Sequence, residues 1–327
     1  MVARVDAAGP TGAVALVGTT ASGKSALAMA VARHRGDVEL VSVDSMSVYR
    51  GLDLATAKPT PADRALVPHH LIDLVDPDQE FTVAQFQRAA AEALAAIAGR
   101  GRRALLVGGT GLYLRSVVDG LELPGRWPAV AAELEAEADR PGGPAALHQR
   151  LAVLDPVAAA RMNPTNRRRV IRALEVSLGS GRPFSSFGPG LEAYPPTPVA
   201  LVGRPFEPAV VDQAIERRFA AWMAAGLLDE VRALAARPAG LSRTARQALG
   251  YRELLRHVEE GVPLEACVAD AVRRTRTFAR RQWAWFRRDP RIRWLGPGDD
   301  PVAVVDALLD RPPGPAPVPT AARPVGD

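Results

Sequence analysis

The chain has 327 residues, too many for a lone small module, and its 47% apolar and 24% charged residues support a sizeable core and exclude wholesale disorder. The formal net charge is +5, yet residues 270 to 295 hold nine arginines against Asp270 and Asp289, so the remainder is slightly acidic and the positive charge is a local patch suited to meeting an anion. No apolar run reaches bilayer length, the start Met1-Val2-Ala3-Arg4-Val5-Asp6 lacks a secretory pattern, and the single Cys267 rules out an internal disulfide, so a cytoplasmic protein with no membrane segment is expected.

Ala13-Val14-Ala15-Leu16-Val17 reads as a buried strand, and a helical pattern runs from Lys24 to Arg33. Between them, Gly18-Thr19-Thr20-Ala21-Ser22-Gly23-Lys24-Ser25 fits G-x-x-x-x-G-K-[ST]. The glycines let backbone N–H groups converge and the helix start adds positive potential. Lys24 brings a mobile charge, and Ser25 is placed to hold Mg²⁺. The cradle suits a nucleotide or a departing diphosphate equally. Lys24 and Lys58 are the only lysines beside thirty-nine arginines, so at both positions a compact ammonium is expected to do what a planar guanidinium does not.

A second strand at 38–43 delivers Asp44-Ser45, and a third at 104–107 leads into Gly108-Gly109-Thr110-Gly111. The helix between them opens near a capping box, Thr82 with Gln85. No carboxylate follows the third strand, where an NTPase often keeps a metal-binding aspartate. Asp44 instead stands on the carboxyl rim, as a general base or acceptor for a substrate amine or hydroxyl. His69-His70 lacks a third ligand at metal spacing, so no metal beyond Mg²⁺ is expected.

From residue 120 prolines punctuate alanine-rich helices, one of them over about 166–178. The chain then returns with a strand at 197–202, helices over 208–237, 252–260 and 264–287, and a late strand at 291–295. Residues 1–119 and 197–310 are therefore expected to form a core interrupted by a helical insertion, 120–196. Residues 311–327, rich in proline, are expected to be a disordered tail. The fold class is α/β: a P-loop NTPase-like doubly wound parallel sheet with an inserted helical domain and C-terminal helices.

In the basic helix, Arg273, Arg276, Arg280 and Arg287 share a face, with Phe278, Trp283, Trp285 and Phe286 interleaved. Guanidinium groups there suit RNA phosphates, while at least two of the rings are expected in the core. Arg167-Arg168-Arg169 with Arg172 form a second basic cluster. The residues alone leave open an RNA-directed transferase, a small-molecule P-loop kinase and a nucleotide-gated RNA-binding protein.

The motifs in combination resemble bacterial tRNA dimethylallyltransferase. They are the phosphate loop, Asp44 to Asp53, Thr56-Ala57-Lys58-Pro59, His70-Leu71-Ile72-Asp73, and Gly108 to Tyr113. Arg169 to Glu175, Gly226 to Val231, Gln247-Ala248-Leu249-Gly250-Tyr251 and Thr275 to Phe286 follow in family order. The chain departs from the family pattern at Thr19, Ser47, Ala55, Asn166 and Ala284. The resemblance covers about residues 12 to 296. It implies transfer of a dimethylallyl group from dimethylallyl diphosphate to the exocyclic amine of adenosine at position 37, in the tRNA anticodon stem-loop. It further implies that Asp44 acts on the amine, that Lys24, Ser25 and Mg²⁺ neutralise the leaving diphosphate, and that Arg218 and Thr20 assist as catalytic residues. By the same likeness, Asp44, Ser45, Met46, Ser47, Thr110, Gln247 and Tyr251 meet the tRNA; the charged face of the basic helix adds Arg276 and Arg280, and the helical insertion 120–196 that grips the RNA sets Arg167 and Arg168 of the second cluster to clamp the other side of its stem. A monomer is the expected state.

Overall fold

The structure, a computed structural model, describes residues 13–311, so the expected tail falls outside the described residues except for Arg311. Contacts divide the chain into two compact units, one made of the chain up to Gly120 and from Pro195 onward, the other of Leu121–Tyr194. In the first unit the order is β1 (Val14–Val17), α1 (Lys24–Arg35), β2 (Val38–Val43), α2 (Pro61–Leu66), β3 (His69–His70), α3 (Val83–Gly99), β4 (Arg103–Gly108) and α4 (Gly111–Val118). The second unit contributes α5 (Pro128–Ala138), α6 (Gly143–Leu154), α7 (Pro156–Ala160) and α8 (Arg167–Ser180). The first unit resumes with β5 (Ala200–Gly203), α9 (Pro208–Ala224), α10 (Leu227–Ala235), α11 (Tyr251–Glu260), α12 (Leu264–Phe286), β6 (Ile292–Trp294) and α13 (Pro301–Leu309).

All six strands are parallel, in the order β3-β2-β4-β1-β5-β6. Helices cover both faces, which is why β1 is apolar at every position instead of alternating. Ala15, Val17, Val41, Val43 and Leu106 pack with Phe86 and Leu94 of α3 on one face. Val14, Leu16, Leu40 and Leu105 pack with Val31 of α1 and Leu309 of α13 on the other.

Register decides where the site forms. Val17 is level with Gly108 and Gly203, and Val43 is also level with Gly108, so the loops leaving β1, β2, β4 and β5 start at one height on the carboxyl rim. β1 is flanked by β4 and β5, so strand order reverses there, the switch point at which doubly wound sheets bind ligands. The helical run over 208–237 is two helices because Gly226 adopts φ 95°, outside any helix interior. Among the described residues no helix is long and apolar enough to cross a membrane.

The second unit packs its helices on a core of its own, centred on Leu134, Leu147, Leu151, Ile171 and Leu174. Asp155, 1% exposed, caps α7 there: it accepts the Ala158 N–H at 3.0 Å, the Ser185 N–H at 2.7 Å and the Ser185 hydroxyl at 2.7 Å. Burial opposes its charge, but these donors outweigh it and hold the carboxyl below its usual range. A folded-state pKa that is lowered stabilises the protein above the unfolded value of 3.8, and that contribution is lost as pH falls through the folded value. Asp155→Ala is expected to cost ~2–4 kcal/mol in urea denaturation at neutral pH, with the gap to wild type narrowing in acid.

Candidate active site

On the rim of the first unit lies a cavity of about 1020 Å³. Its floor is the phosphate loop. Left-handed turns at Ala21 (φ 60°) and Gly23 (φ 80°) coil residues 18–25 into a nest of N–H groups at the head of α1. Arg204, just past β5, braces the loop from below, donating its Nε to the Ser22 carbonyl at 3.1 Å and its backbone N–H to Val17 at 2.9 Å. Thr19 is buried, so of the loop's side chains Thr20, Lys24 and Ser25 are the ones that line the cavity.

The Lys24 ammonium donates to the Thr19 carbonyl at 2.9 Å. Burial lowers its pKa to about 8, with the charge of Asp44 opposing the shift and that of Arg218 adding to it. Arg218, from α9, also lies in the cavity wall. Its guanidinium carbon stands 4.6 Å over the Trp222 ring and its Nη1 donates to the Thr20 hydroxyl at 3.4 Å. Desolvation lowers its pKa as well, against the pull of Asp44. Two partly desolvated cations thus share this part of the pocket with the Asp44 carboxylate, an arrangement ready to take up negative charge.

Asp44 follows β2, where its Oδ1 accepts the Met46 N–H at 2.8 Å in a turn that aims the carboxylate over the rim. The Ser45 N–H donates to the Thr110 hydroxyl at 3.2 Å, tying this turn to the loop after β4. Asp44, Ser45, Met46, Ser47 and Thr110 all line the cavity. Ser47 is nonetheless buried, its hydroxyl 3.0 Å from that of Ser42.

Lys58 forms part of the wall, and its environment explains why it is not an arginine. Its side chain is 2% exposed, and its ammonium donates to the Tyr49 carbonyl at 2.6 Å, Asp53 at 2.7 Å and Asp73 at 2.6 Å. Three acceptors around one point match a tetrahedral ammonium, not a flat fork. Arg64 closes the network on the second oxygen of Asp73 at 2.7 Å. Lys58→Arg is expected to overpack the site and Lys58→Met to leave the Tyr49 carbonyl and one oxygen of Asp73 without their donor; each should lower stability by ~1–3 kcal/mol in denaturant titrations.

Several expected RNA contacts sit elsewhere. Tyr251 is 1% exposed: its hydroxyl donates to Glu230 and accepts the Ala55 N–H at 3.2 Å, so it shapes the Asp53–Ala55 loop from behind and offers no surface to RNA. Gln247 is exposed and lines the cavity. Arg276 pairs with Glu216, and Arg280 with Asp212 at 2.7 Å. Both are turned toward α9, and neither lines the cavity. The arginines that α12 does present to the cavity are Arg273, Arg274 and Arg281, together with Phe278. The face expected from spacing is therefore rotated, because the acidic residues of α9 claim Arg276 and Arg280. Of the interleaved rings, Phe286 is buried and Trp283 packs against Phe206 and Trp294. In the second unit, Arg167 pairs with Glu135 and Asp139, Arg168 is exposed, and Asn166 caps α8 through the Arg169 N–H.

Gln282, of α12, was not expected at the site. It is 6% exposed, accepts the Thr20 N–H at 2.7 Å and donates to the Gly109 carbonyl at 2.9 Å. Among the described residues no group of three or more His, Cys, Asp or Glu side chains could hold a metal. A magnesium ion needs no such cage, because substrate phosphates and water commonly complete its shell. The exposed hydroxyl of Ser25, on the cavity wall beside Lys24, fits that limited protein share.

Comparison with known proteins agrees across sequence and fold. The IPP transferase family profile matches residues 47–289. A tRNA dimethylallyltransferase of Streptomyces coelicolor is 46% identical over 287 residues, 87% of this chain and 90% of that one. Its counterpart from Roseiflexus castenholzii is 48% identical over 293 residues, covering 88% and 93%. Among solved structures, the full-length tRNA isopentenylpyrophosphate transferase of Bacillus halodurans superposes with a TM-score of 0.65 at 36% identity, over 91% of this chain and 95% of that one.

Proposed function

Because the chain belongs to the IPP transferase family, we propose that it transfers the dimethylallyl group of dimethylallyl diphosphate to N6 of adenosine 37 in the tRNA anticodon loop, acting as a cytoplasmic monomer. The observation that carries this reading is the placing of Lys24, Arg218 and Asp44 around one cavity on the carboxyl rim. A cradle for a leaving diphosphate and a carboxylate for an amine proton are what alkylation of an amine by an allylic diphosphate requires. A small-molecule kinase has no support from these relatives.

In the reaction the C1–O bond of the allylic diphosphate breaks with carbocation character, and charge builds on the departing oxygens. The loop N–H groups, Lys24 and Arg218 meet that charge in a partly dehydrated pocket, where fixed donors count for more than in water. N6 of the adenine forms the new bond to C1. Its surplus proton passes to Asp44, which the Met46 N–H holds in place. Thr20 orients Arg218 through its hydroxyl. Mg²⁺, when bound at Ser25, would add charge neutralisation at the diphosphate. The adenine must leave its stack to enter the cavity, a cost smaller in a loop than in a duplex. Arg273, Arg274, Arg281 and Gln247 are proposed to steer the loop in, and Arg167 and Arg168 to hold RNA from the second unit.

The test is to incubate the protein with Mg²⁺, labelled dimethylallyl diphosphate and unmodified tRNA, then digest to nucleosides. Label on N6 of adenosine is the expected result. Turnover of ATP with a small acceptor, and none of the tRNA, would overturn the reading.

A further inference from the structure

Three rim loops must keep register for transfer: the phosphate loop, the Asp44 turn and the Gly109-Thr110 segment between them. The Thr110 N–H donates to the Val43 carbonyl at 3.3 Å, at the foot of the Asp44 turn, which leaves the phosphate loop to be joined to that pair. Gln282 supplies the link. Its Oε1 accepts the Thr20 N–H at 2.7 Å while its Nε2 donates to the Gly109 carbonyl at 2.9 Å, so one side-chain amide spans the loops after β1 and β4. The next residue, Thr110, accepts the Ser45 N–H at 3.2 Å, beside Asp44. A continuous path therefore runs from the diphosphate cradle to the proton acceptor through Thr20, Gln282, Gly109, Thr110 and Ser45.

Two features make the amide specific to this place. Both of its polar ends are used, in opposite senses, which glutamate or methionine would not reproduce. Gly109 leaves room for it: a Cβ there would collide with the Gln282 amide and lie 3.2 Å from the Gly18 carbonyl. Gln282 lines the cavity from α12, next to Arg281, which lines it too. The strut is thus built into the helix that forms the basic wall.

We propose that Gln282 is the positioning residue that fixes the phosphate loop and the Asp44 turn in reactive register, an inference that rests on the transferase reading above. It touches neither the breaking nor the forming bond and acts through Thr20 and Thr110.

The test compares wild type, Gln282→Met, Gly109→Ala and the double variant. Single-turnover transfer is measured at saturating tRNA and dimethylallyl diphosphate, and tRNA affinity by filter binding. A displacement of about 1 Å in a reacting geometry costs ~10²-fold in rate, and each single variant is expected to lose about that much while tRNA affinity stays within about threefold. The double variant is expected to be no slower than the worse single, because both break one strut. Rates within about threefold of wild type would overturn the proposal, on the same scale of effect. So would tRNA affinity falling in step with rate, which would make Gln282 an RNA contact, or failure of both variants to fold, which would make it a core support. Absence of transfer by the wild type would instead sink the transferase reading, a separate and recognisable outcome.

Discussion

Asp44→Ala is expected to lower the single-turnover transfer rate by ~10²–10⁴-fold, the range for losing a positioned proton acceptor, while tRNA affinity changes little. The adenine amine is a weak nucleophile, so its proton leaves only as the carbon–nitrogen bond forms, and a carboxylate at hydrogen-bonding distance must be waiting. Asp44 has that position because β2 ends level with β4, which puts the turn on the rim, and because the Met46 N–H fixes one oxygen. Asp44→Asn keeps an acceptor for Met46 but has no basic oxygen, so it should match alanine in rate and exceed it in stability. Equal rates for asparagine and wild type would assign Asp44 to the turn alone.

Lys24→Met separates function from stability more sharply. Loss of a preset cation at a leaving group costs ~10²–10³-fold in rate, and that loss is expected here with diphosphate affinity falling alongside. Folding should move the other way. Burial disfavours the ammonium, as its lowered pKa of about 8 records, and methionine fills the same volume without that penalty. The variant is expected to melt at or above the wild-type temperature while being nearly inert. A melting temperature well below wild type would show that Lys24 supports the loop through its bond to Thr19.

The phosphate loop, the strand before it and the helix after it are legible because local chemistry dictates them. Glycine spacing, an apolar run and a helical period stand within a few residues of one another, and β2 is found at its expected bounds, Val38–Val43. The Thr82–Gln85 capping box is present as read. What escaped was short or depended on distant partners. β3 has two residues and α2 six, too few to show a period, although the Thr60–Asp63 capping box with Pro61 marks where α2 starts.

The basic helix shows the other limit. Its existence follows from periodicity, but which arginines face the cavity is set by Asp212 and Glu216, some sixty residues away on α9. Tyr251 carries no sign in its own neighbourhood that its hydroxyl serves Glu230 and the Asp53–Ala55 loop. Lys58 was the intermediate case. Its rarity among arginines flagged it, and only the fold supplied the three acceptors that explain the preference.

The nest of N–H groups at the head of α1 is proposed to hold an allylic diphosphate and not the tail of a nucleoside triphosphate. Competition binding tests it most directly, with an unreactive thiolo analogue of dimethylallyl diphosphate, inorganic diphosphate and ATP titrated in Mg²⁺ against wild type and Lys24→Met. The analogue is expected to bind wild type, to be displaced by inorganic diphosphate, and to be lost from the variant. ATP bound with its γ-phosphate consumed, and no affinity for the allylic analogue, would contradict it.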